Sequence, residues 1–289
     1  MADHQLGTTY TRLEATSVGM TRAQLRDDGV RVSRGVYVSR ARALTLRAAC
    51  EALLPVLPHG AAYGDETAAA LLGAPVPHRL PLHVVVPPGA PRPRRSGVRV
   101  RVRDVLPDDR TVCDGLPVTS GAQTWLDLAA RLPPGDLVAV GDALMRAEHL
   151  DGTGLGGRLD RADGVRGVVL ARRWAPRLTR AAASRPESLL RVHLIEGDVP
   201  DPEPQVPLVD RHGRTVVHAD LGYRQWRVAV EYEGRQHADP RQFRRDIRRY
   251  TLMAVDDWVL LRFGDVDLAQ PRSIVAAVGR ALRNRGARW

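Results

Sequence analysis

The chain has 289 residues, 44% of them hydrophobic, which gives room for two or more domains with their own cores and excludes an intrinsically disordered protein. Its basic residues are 43 arginines and no lysine, and the formal net charge of +10 at pH 7 favours a polyanionic partner, although GC-rich coding sequence also raises the arginine content. The two cysteines are far apart and no apolar run reaches membrane-spanning length, so we expect a cytoplasmic protein without a disulfide framework, zinc knuckle or membrane partner.

The first forty residues combine a short helix with a hairpin. Thr21 is placed to cap the helix, and residues 30–38 alternate as a strand or wing. With its "RGVY" ending, this segment resembles the winged helix-turn-helix region at the start of AbiEi-type antitoxins. The resemblance implies that Arg31 and Arg34 contact DNA phosphates. A hairpin with a purely structural role is the alternative.

Residues 41–150 indicate an α+β middle region in which no motif has catalytic spacing. The predicted elements are helices at about 41–54 and 66–72, strands at 82–86 and 98–102, and a further helix after a capping Ser120. The Pro-Gly-Arg stretch at 87–97 predicts a turn, and its arginines either contact a nucleic-acid backbone or are solvated. Residues 151–167, rich in glycine and charge, predict a linker into the C-terminal part.

The C-terminal part begins with a helix. Ser184 and Glu187 have the spacing of a capping box in front of an apolar run. The elements that follow are strands ending in "HADLGY" and "VEYEG", a helix starting at Asp239-Pro240, a buried strand "WVLLRF" and an amphipathic helix at 273–282. The predicted order is therefore helix, three strands, helix, strand, helix.

Carboxylates gather at the ends of two neighbouring strands in this part. Asp220 ends the first strand, and Glu231 and Glu233 alternate at the end of the second, so the two glutamates share a face. The opposite face is apolar and carries Val228, Val230 and Tyr232. Grouped hard oxygen ligands suit Mg²⁺ or Mn²⁺ and point to metal-assisted hydrolysis of nucleic acid. The alternative is an ordinary hairpin with one solvated polar face.

These residues and their order resemble the Vsr-like branch of the PD-(D/E)XK nucleases, of the type called domain of unknown function 559. The resemblance covers residues 184–285 and rests on Glu187, the strands already quoted, His237 and "FRRDIRRY". It implies a restriction-endonuclease-like mixed sheet flanked by helices and Mg²⁺- or Mn²⁺-dependent cleavage of DNA. In the mechanism that we expect from this resemblance, Asp220 and Glu231 would hold the metal, while Glu187 and Glu233 would complete or orient its ligand shell. His237 would position the attacking water.

One departure from the family pattern concerns the lysine of its third position, which this chain lacks altogether. Glu233 stands there instead, and His237 is a candidate for the role of base or water positioner. Other candidates have structural alternatives. Glu187 can act as a helix cap alone, His237 as an exposed loop histidine, and Asp246 as an ion-pair partner of neighbouring arginines.

A short helix in the same region is rich in arginine. Guanidinium groups bind phosphate oxygens bidentately, so this helix predicts a contact surface for nucleic acid beside the acids. Its arginines are Arg241, Arg244, Arg245, Arg248 and Arg249.

Together the patterns predict an α/β (α+β) protein with four segments. They are a winged helix at 1–40, the middle region at 41–150, a linker or helical connector at 151–183 and the nuclease-like domain at 184–289. The expected function is a Mg²⁺-dependent DNA endonuclease. The alternative is a non-catalytic DNA-binding regulator of toxin-antitoxin type that uses the same fold as a platform, with a cognate toxin as a further partner.

Overall fold

The computed structural model describes residues 6–77, 80–209, 212–234 and 257–289, and it has the mixed α and β architecture that the sequence predicts. Within the described residues, contacts divide the chain into two compact units. The first contains Met1–Arg131 and Ala147–Arg172, and the second contains Leu132–Arg146 and Arg173–Trp289. Among the residues that the structure describes, no helix is both long and apolar enough to cross a bilayer.

The N-terminal part of the first unit contains two short helices followed by a hairpin. Its elements are β1 (Thr9–Thr11), α1 (Arg12–Ser17), α2 (Arg22–Asp28), β2 (Gly29–Ser33) and β3 (Val36–Ser39). The side chains of Thr11 and Thr21 cap the two helices, each in a reciprocal pair with the side chain at the third helical position. The three strands form an antiparallel sheet in the order β1-β3-β2. The predicted helix after Thr21 and the predicted hairpin are thus confirmed.

A five-stranded sheet with the strand order β6-β5-β4-β8-β7 forms most of the remaining first unit. The elements are α3 (Leu46–Leu53), β4 (Ala62–Tyr63), α4 (Asp65–Leu71), β5 (Leu82–Val86), β6 (Val98–Val102), β7 (Arg110–Cys113), β8 (Leu116–Thr119) and α5 (Gly121–Ala129). Strands β5 and β6 have the predicted bounds, and Ser120 caps α5 as expected. The helix α3 packs against all three N-terminal strands, which explains why residues on both sides of the predicted boundary at 40 belong to one unit.

The linker prediction for residues 151–167 was wrong for their first half, which forms helix α7 (Gly152–Asp160). Its glycines lower the helix propensity, but two effects oppose this. The Asp151 carboxylate caps the first turn by accepting a backbone amide at 2.8 Å, and Leu155 and Leu159 are buried. A further helix, α8 (Val168–Trp174), follows it.

The second unit is built on a four-stranded sheet in the order β12-β11-β10-β9. Its elements are α6 (Pro134–Arg146), α9 (Arg185–Ile195), β9 (Glu203–Val209), β10 (Thr215–Tyr223), β11 (Val228–Tyr232), β12 (Val259–Phe263), α10 (Asp265–Leu268) and α11 (Pro271–Asn284). Strands β9, β10 and β11 are antiparallel, whereas β12 runs parallel to β11. From α9 onward the predicted order is confirmed for the described elements, except that the short helix α10, which was not predicted, precedes α11. The helix predicted from Asp239 lies outside the described residues.

Apolar side chains cover both faces of this sheet. On one face Val230 packs with Leu190 of α9 and Ile274 of α11. On the other face Ala229 packs with Val206 in a second, smaller cluster. Strand β11 is therefore buried on both sides, as is usual for a central strand in a sheet flanked by helices.

Candidate functional site

Asp220 lies at an irregular point of β10. In a regular strand, residues two positions apart lie on the same face, yet Ala219 and Leu221 pack in different core clusters. The continuous register with β9 places Gln205 opposite Asp220, and Gln205 has a left-handed backbone with φ of 50°. Such irregularities redirect side chains and are frequent beside functional sites. The Asp220 side chain is directed toward β11, where its Oδ2 accepts the backbone amide of Tyr232 at 2.9 Å.

In β11, Glu231 immediately precedes Tyr232, whose backbone amide donates this hydrogen bond. The register between the strands pairs Leu221 with Val230, which are the chain neighbours of Asp220 and Glu231. Glu231 is only 6% exposed, which contradicts the alternative of a solvated polar face at this position. A buried carboxylate is costly unless a cation or hydrogen bonds compensate it. The structure thus brings together two of the predicted acids, and one of them is buried.

Arg262 of β12 is a member of this site that the sequence analysis did not single out. The parallel register pairs it with Glu231, and its Nε lies 3.9 Å from the Glu231 Oε2. Its Nη1 lies 3.1 Å from the Oε2 of Glu233, whose side chain is 59% exposed. The arginine therefore sits between the two predicted glutamates. The motif "WVLLRF" contained it, but only the pairing of β12 with β11 reveals its neighbours.

Glu187 occupies the third position of α9 and acts there as a cap. Its Oε1 accepts the Ser184 hydroxyl at 2.8 Å, and its Oε2 accepts the backbone amide of Ala183 at 2.8 Å. Both carboxylate oxygens are thus engaged at the helix start, and the Ser184 hydroxyl accepts the Glu187 backbone amide at 3.4 Å. The predicted cap is confirmed, but the return bond of a capping box goes to the amide of Ala183 and not to that of Ser184. A role for Glu187 at a metal stays a prediction.

Several predicted site residues lie outside the described residues. They are His237, Asp246 and the arginines Arg241, Arg244, Arg245, Arg248 and Arg249. In the first unit, Arg31 and Arg34 are exposed on the β2–β3 hairpin and line a groove.

A second cluster, in the first unit, consists of residues that the sequence analysis did not connect. Asp65 and Glu66 begin α4, His83 lies in β5, and one ligand-type atom of each lies within 4.8 Å of the others. The His83 Nδ1 is 2.6 Å from the Glu66 Oε2 and 3.4 Å from the Asp65 Oδ2. Asp65 is buried and has a left-handed backbone with φ of 48°. Their sequence separation gave no spacing signal, because only the sheet brings β5 beside α4.

Arginines already compensate the acids of this second cluster. Arg101 approaches Asp65 at 3.4 Å, and Arg131 approaches Asp65 at 3.5 Å and Glu66 at 3.1 Å. Burial opposes the charge on Glu66, but the contacts with His83 and Arg131 outweigh it and lower the pKa of Glu66 to about 2. Burial likewise opposes protonation of His83, yet the two acids raise its pKa above the ordinary value. One imidazole and two carboxylates are ligands that suit Zn²⁺ or Mn²⁺. In this structure, however, the positive charges of the arginines and of His83 compensate the two acids in a partly buried ion-pair network without a metal.

No family model matches the chain. It is 30% identical over 271 residues to the uncharacterized protein Rv2248 of Mycobacterium tuberculosis, across 91% of this chain and 97% of that protein. The uncharacterized protein MT2308, from another strain of the same species, gives the same values. The chain belongs to the family of these two proteins. Because the similarity extends over nearly their whole length, the two units occur together in the relatives.

Proposed function

We propose that the protein is a metal-dependent DNA endonuclease whose site lies on β10 and β11 of the second unit. The observation that carries the proposal is the 2.9 Å contact between the Asp220 carboxylate and the peptide amide that joins Glu231 to Tyr232. It sets one carboxylate beside another that is almost fully buried. A buried acid with a second, partly buried acid beside it favours a bound cation.

The residues present fit Mg²⁺ or Mn²⁺. Asp220 and Glu231 would hold the ion, because hard divalent cations prefer oxygen ligands and use one or two carboxylates together with water and substrate phosphate. When bound, such an ion lowers the pKa of water and stabilises the negative charge that develops during phosphodiester hydrolysis. Glu233, at the exposed end of the same strand, would orient the water.

Arg262 would supply the positive charge for which this chain has no lysine. Its guanidinium lies beside Glu231 and Glu233, and a guanidinium fork matches two phosphate oxygens. The contact with Glu233 is largely exposed, so it is weak and can be exchanged for a DNA phosphate at small cost. Arg262 would thus hold the scissile phosphate against the acids.

A non-catalytic DNA-binding regulator is the second candidate, and the position of Arg262 favours it. An arginine beside Glu231 and Glu233 compensates their charge without any metal. In that case the sheet is a binding platform, with DNA or a cognate toxin as its partner.

A plasmid-nicking assay with Mg²⁺ or Mn²⁺ separates the two candidates. The test variant is Asp220→Ala combined with Glu231→Ala. The matched control is Asp201→Ala combined with Glu203→Ala, which removes the same charge from exposed positions of the same unit. We expect nicking by the wild type and the control, and none by the test variant or in EDTA.

The endonuclease proposal fails if the wild type leaves plasmid, linear duplex, mismatched duplex and single strands intact with either metal. It also fails if the double-acid variant retains wild-type activity. The first result favours the regulator, and the second places any cleavage at a different site.

A further inference from the structure

A basic groove crosses the surface of the first unit and has a volume of about 930 Å³. One wall is the β2–β3 hairpin with the start of α1, and the other is the proline- and arginine-rich loop at residues 91–95. Residues 55–58 complete the lining. The arginines of the groove are Arg12, Arg31, Arg34, Arg92, Arg94 and Arg95.

The two walls are fastened to each other. The Ser33 hydroxyl donates to the backbone carbonyl of Ser96 at 2.9 Å, and the Arg95 guanidinium donates to the backbone carbonyl of Arg34 at 2.7 Å. Ser33 is buried, so the first bond is protected from water. The groove is therefore a defined surface, formed by segments about sixty residues apart in sequence.

The groove carries positive charge that no acid balances among the residues that the structure describes. None of the described residues that line it is acidic. Within the described part of the chain, none of its six arginines has a carboxylate oxygen within 4.0 Å, in contrast to pairs such as Arg42–Glu51 and Arg172–Asp163, both at 2.6 Å. Six cationic groups in one groove repel one another unless an anion is bound. Their number and spread suit a polyanion better than a single small ligand, whose pockets are mostly apolar with few polar groups.

We infer that this groove binds the phosphate backbone of duplex DNA, with the hairpin and the loop at 91–95 contacting it from opposite sides. Guanidinium forks match phosphate oxygens, and the prolines stiffen the loop so that less conformational entropy is lost on binding. The inference rests on the proposed function only in taking DNA as the ligand. It extends the predicted contacts of the hairpin by a second wall from the middle region.

The test measures the affinity of the full chain for a labelled random-sequence DNA duplex at several salt concentrations. EDTA is present, so that divalent metal does not contribute to binding. The groove variant combines Arg34→Ala, Arg92→Ala and Arg94→Ala, whose side chains make no hydrogen bond or ion pair in the described part of the chain. The matched control removes the same charge from exposed positions outside the groove. Its substitutions are Arg166→Ala, Arg280→Ala and Arg288→Ala.

We expect the groove variant to bind more weakly and to depend less on salt. Three lost phosphate contacts flatten the slope of log affinity against log salt by about 2.7, so the wild type loses about 40-fold more affinity than the variant between about 50 and about 200 mM salt. The control should keep the wild-type slope. Arg34→Ala alone and the Arg92→Ala, Arg94→Ala pair should each reduce the slope.

Four results overturn the inference. The first two are an equal loss of affinity in the groove variant and the control, and an unchanged salt slope in the groove variant. The third is a smaller slope for Arg34→Ala but not for the Arg92→Ala, Arg94→Ala pair. The fourth is tighter binding to single strands or inorganic polyphosphate than to the duplex. Because DNA binding is measured in EDTA, a loss of binding in the groove variant tests the groove alone. The loss of metal-dependent nicking in the Asp220 and Glu231 variant tests the proposed function separately.

Discussion

Replacing Glu231 by glutamine tests the metal site without relying on catalysis. The substitution is nearly isosteric and removes one charge from a side chain that is 7% exposed. The attraction to Arg262 at 3.9 Å is about 4 kcal/mol in an effective dielectric of about 20, an upper bound because that arginine is about a third exposed. Burial of the charged carboxylate costs several kcal/mol in the opposite direction. The two effects are of similar size, so we expect the metal-free stability of Glu231→Gln to stay close to that of the wild type.

The response to metal should differ between the two proteins. At free Mg²⁺ ten times its dissociation constant, binding to the native state adds about 1.4 kcal/mol and raises Tm by about 3–5 °C. Glu231→Gln should lose most of this shift, because one of the two carboxylates that hold the ion becomes neutral. Its nicking activity should fall more than about tenfold while DNA binding persists. Thermal denaturation with and without Mg²⁺ measures the effect, and an equal Tm shift in both proteins would refute the assignment of Glu231 as a ligand.

Three further outcomes are expected. The raised pKa of His83 contributes stability that is complete below its ordinary value near 6.5 and is lost as pH rises through the higher folded value. The urea concentration at the midpoint of unfolding should therefore fall over that pH window, and His83→Gln should abolish this trend. Arg191→Met should lower the free energy of unfolding by about 3–5 kcal/mol, because it leaves the buried Asp142, 2.6 Å away, without its cation. Adding Asp142→Asn should restore part of this loss, and equal stabilities of the single and double variants would contradict the prediction. Arg262→Met should tighten Mg²⁺ binding in a thermal-shift titration while nicking falls at least about tenfold, and unchanged nicking would remove Arg262 from the phosphate contact.

Local patterns in the sequence determined most of the secondary structure. A cap followed by helical spacing predicted the starts of α2, α5 and α9, and alternation predicted the strand that carries Glu231. These signals are local, because a cap acts within one helical turn and side-chain direction repeats every two residues in a strand. The same locality explains the failure at residues 151–167, where glycine content indicated a linker but buried leucines stabilise a helix.

Tertiary structure decided which side chains meet. Parallel pairing with β12 brings Arg262 to Glu231, and the sheet of the first unit brings His83 to Asp65 and Glu66. Two hydrogen bonds place the arginines of the loop at 91–95 across from those of the hairpin. Such contacts join segments tens of residues apart, and their formation depends on register, burial and charge balance, which no local pattern encodes. The sequence by itself therefore determined most of the elements and the candidate acids, and only the folded chain determined the cations beside those acids.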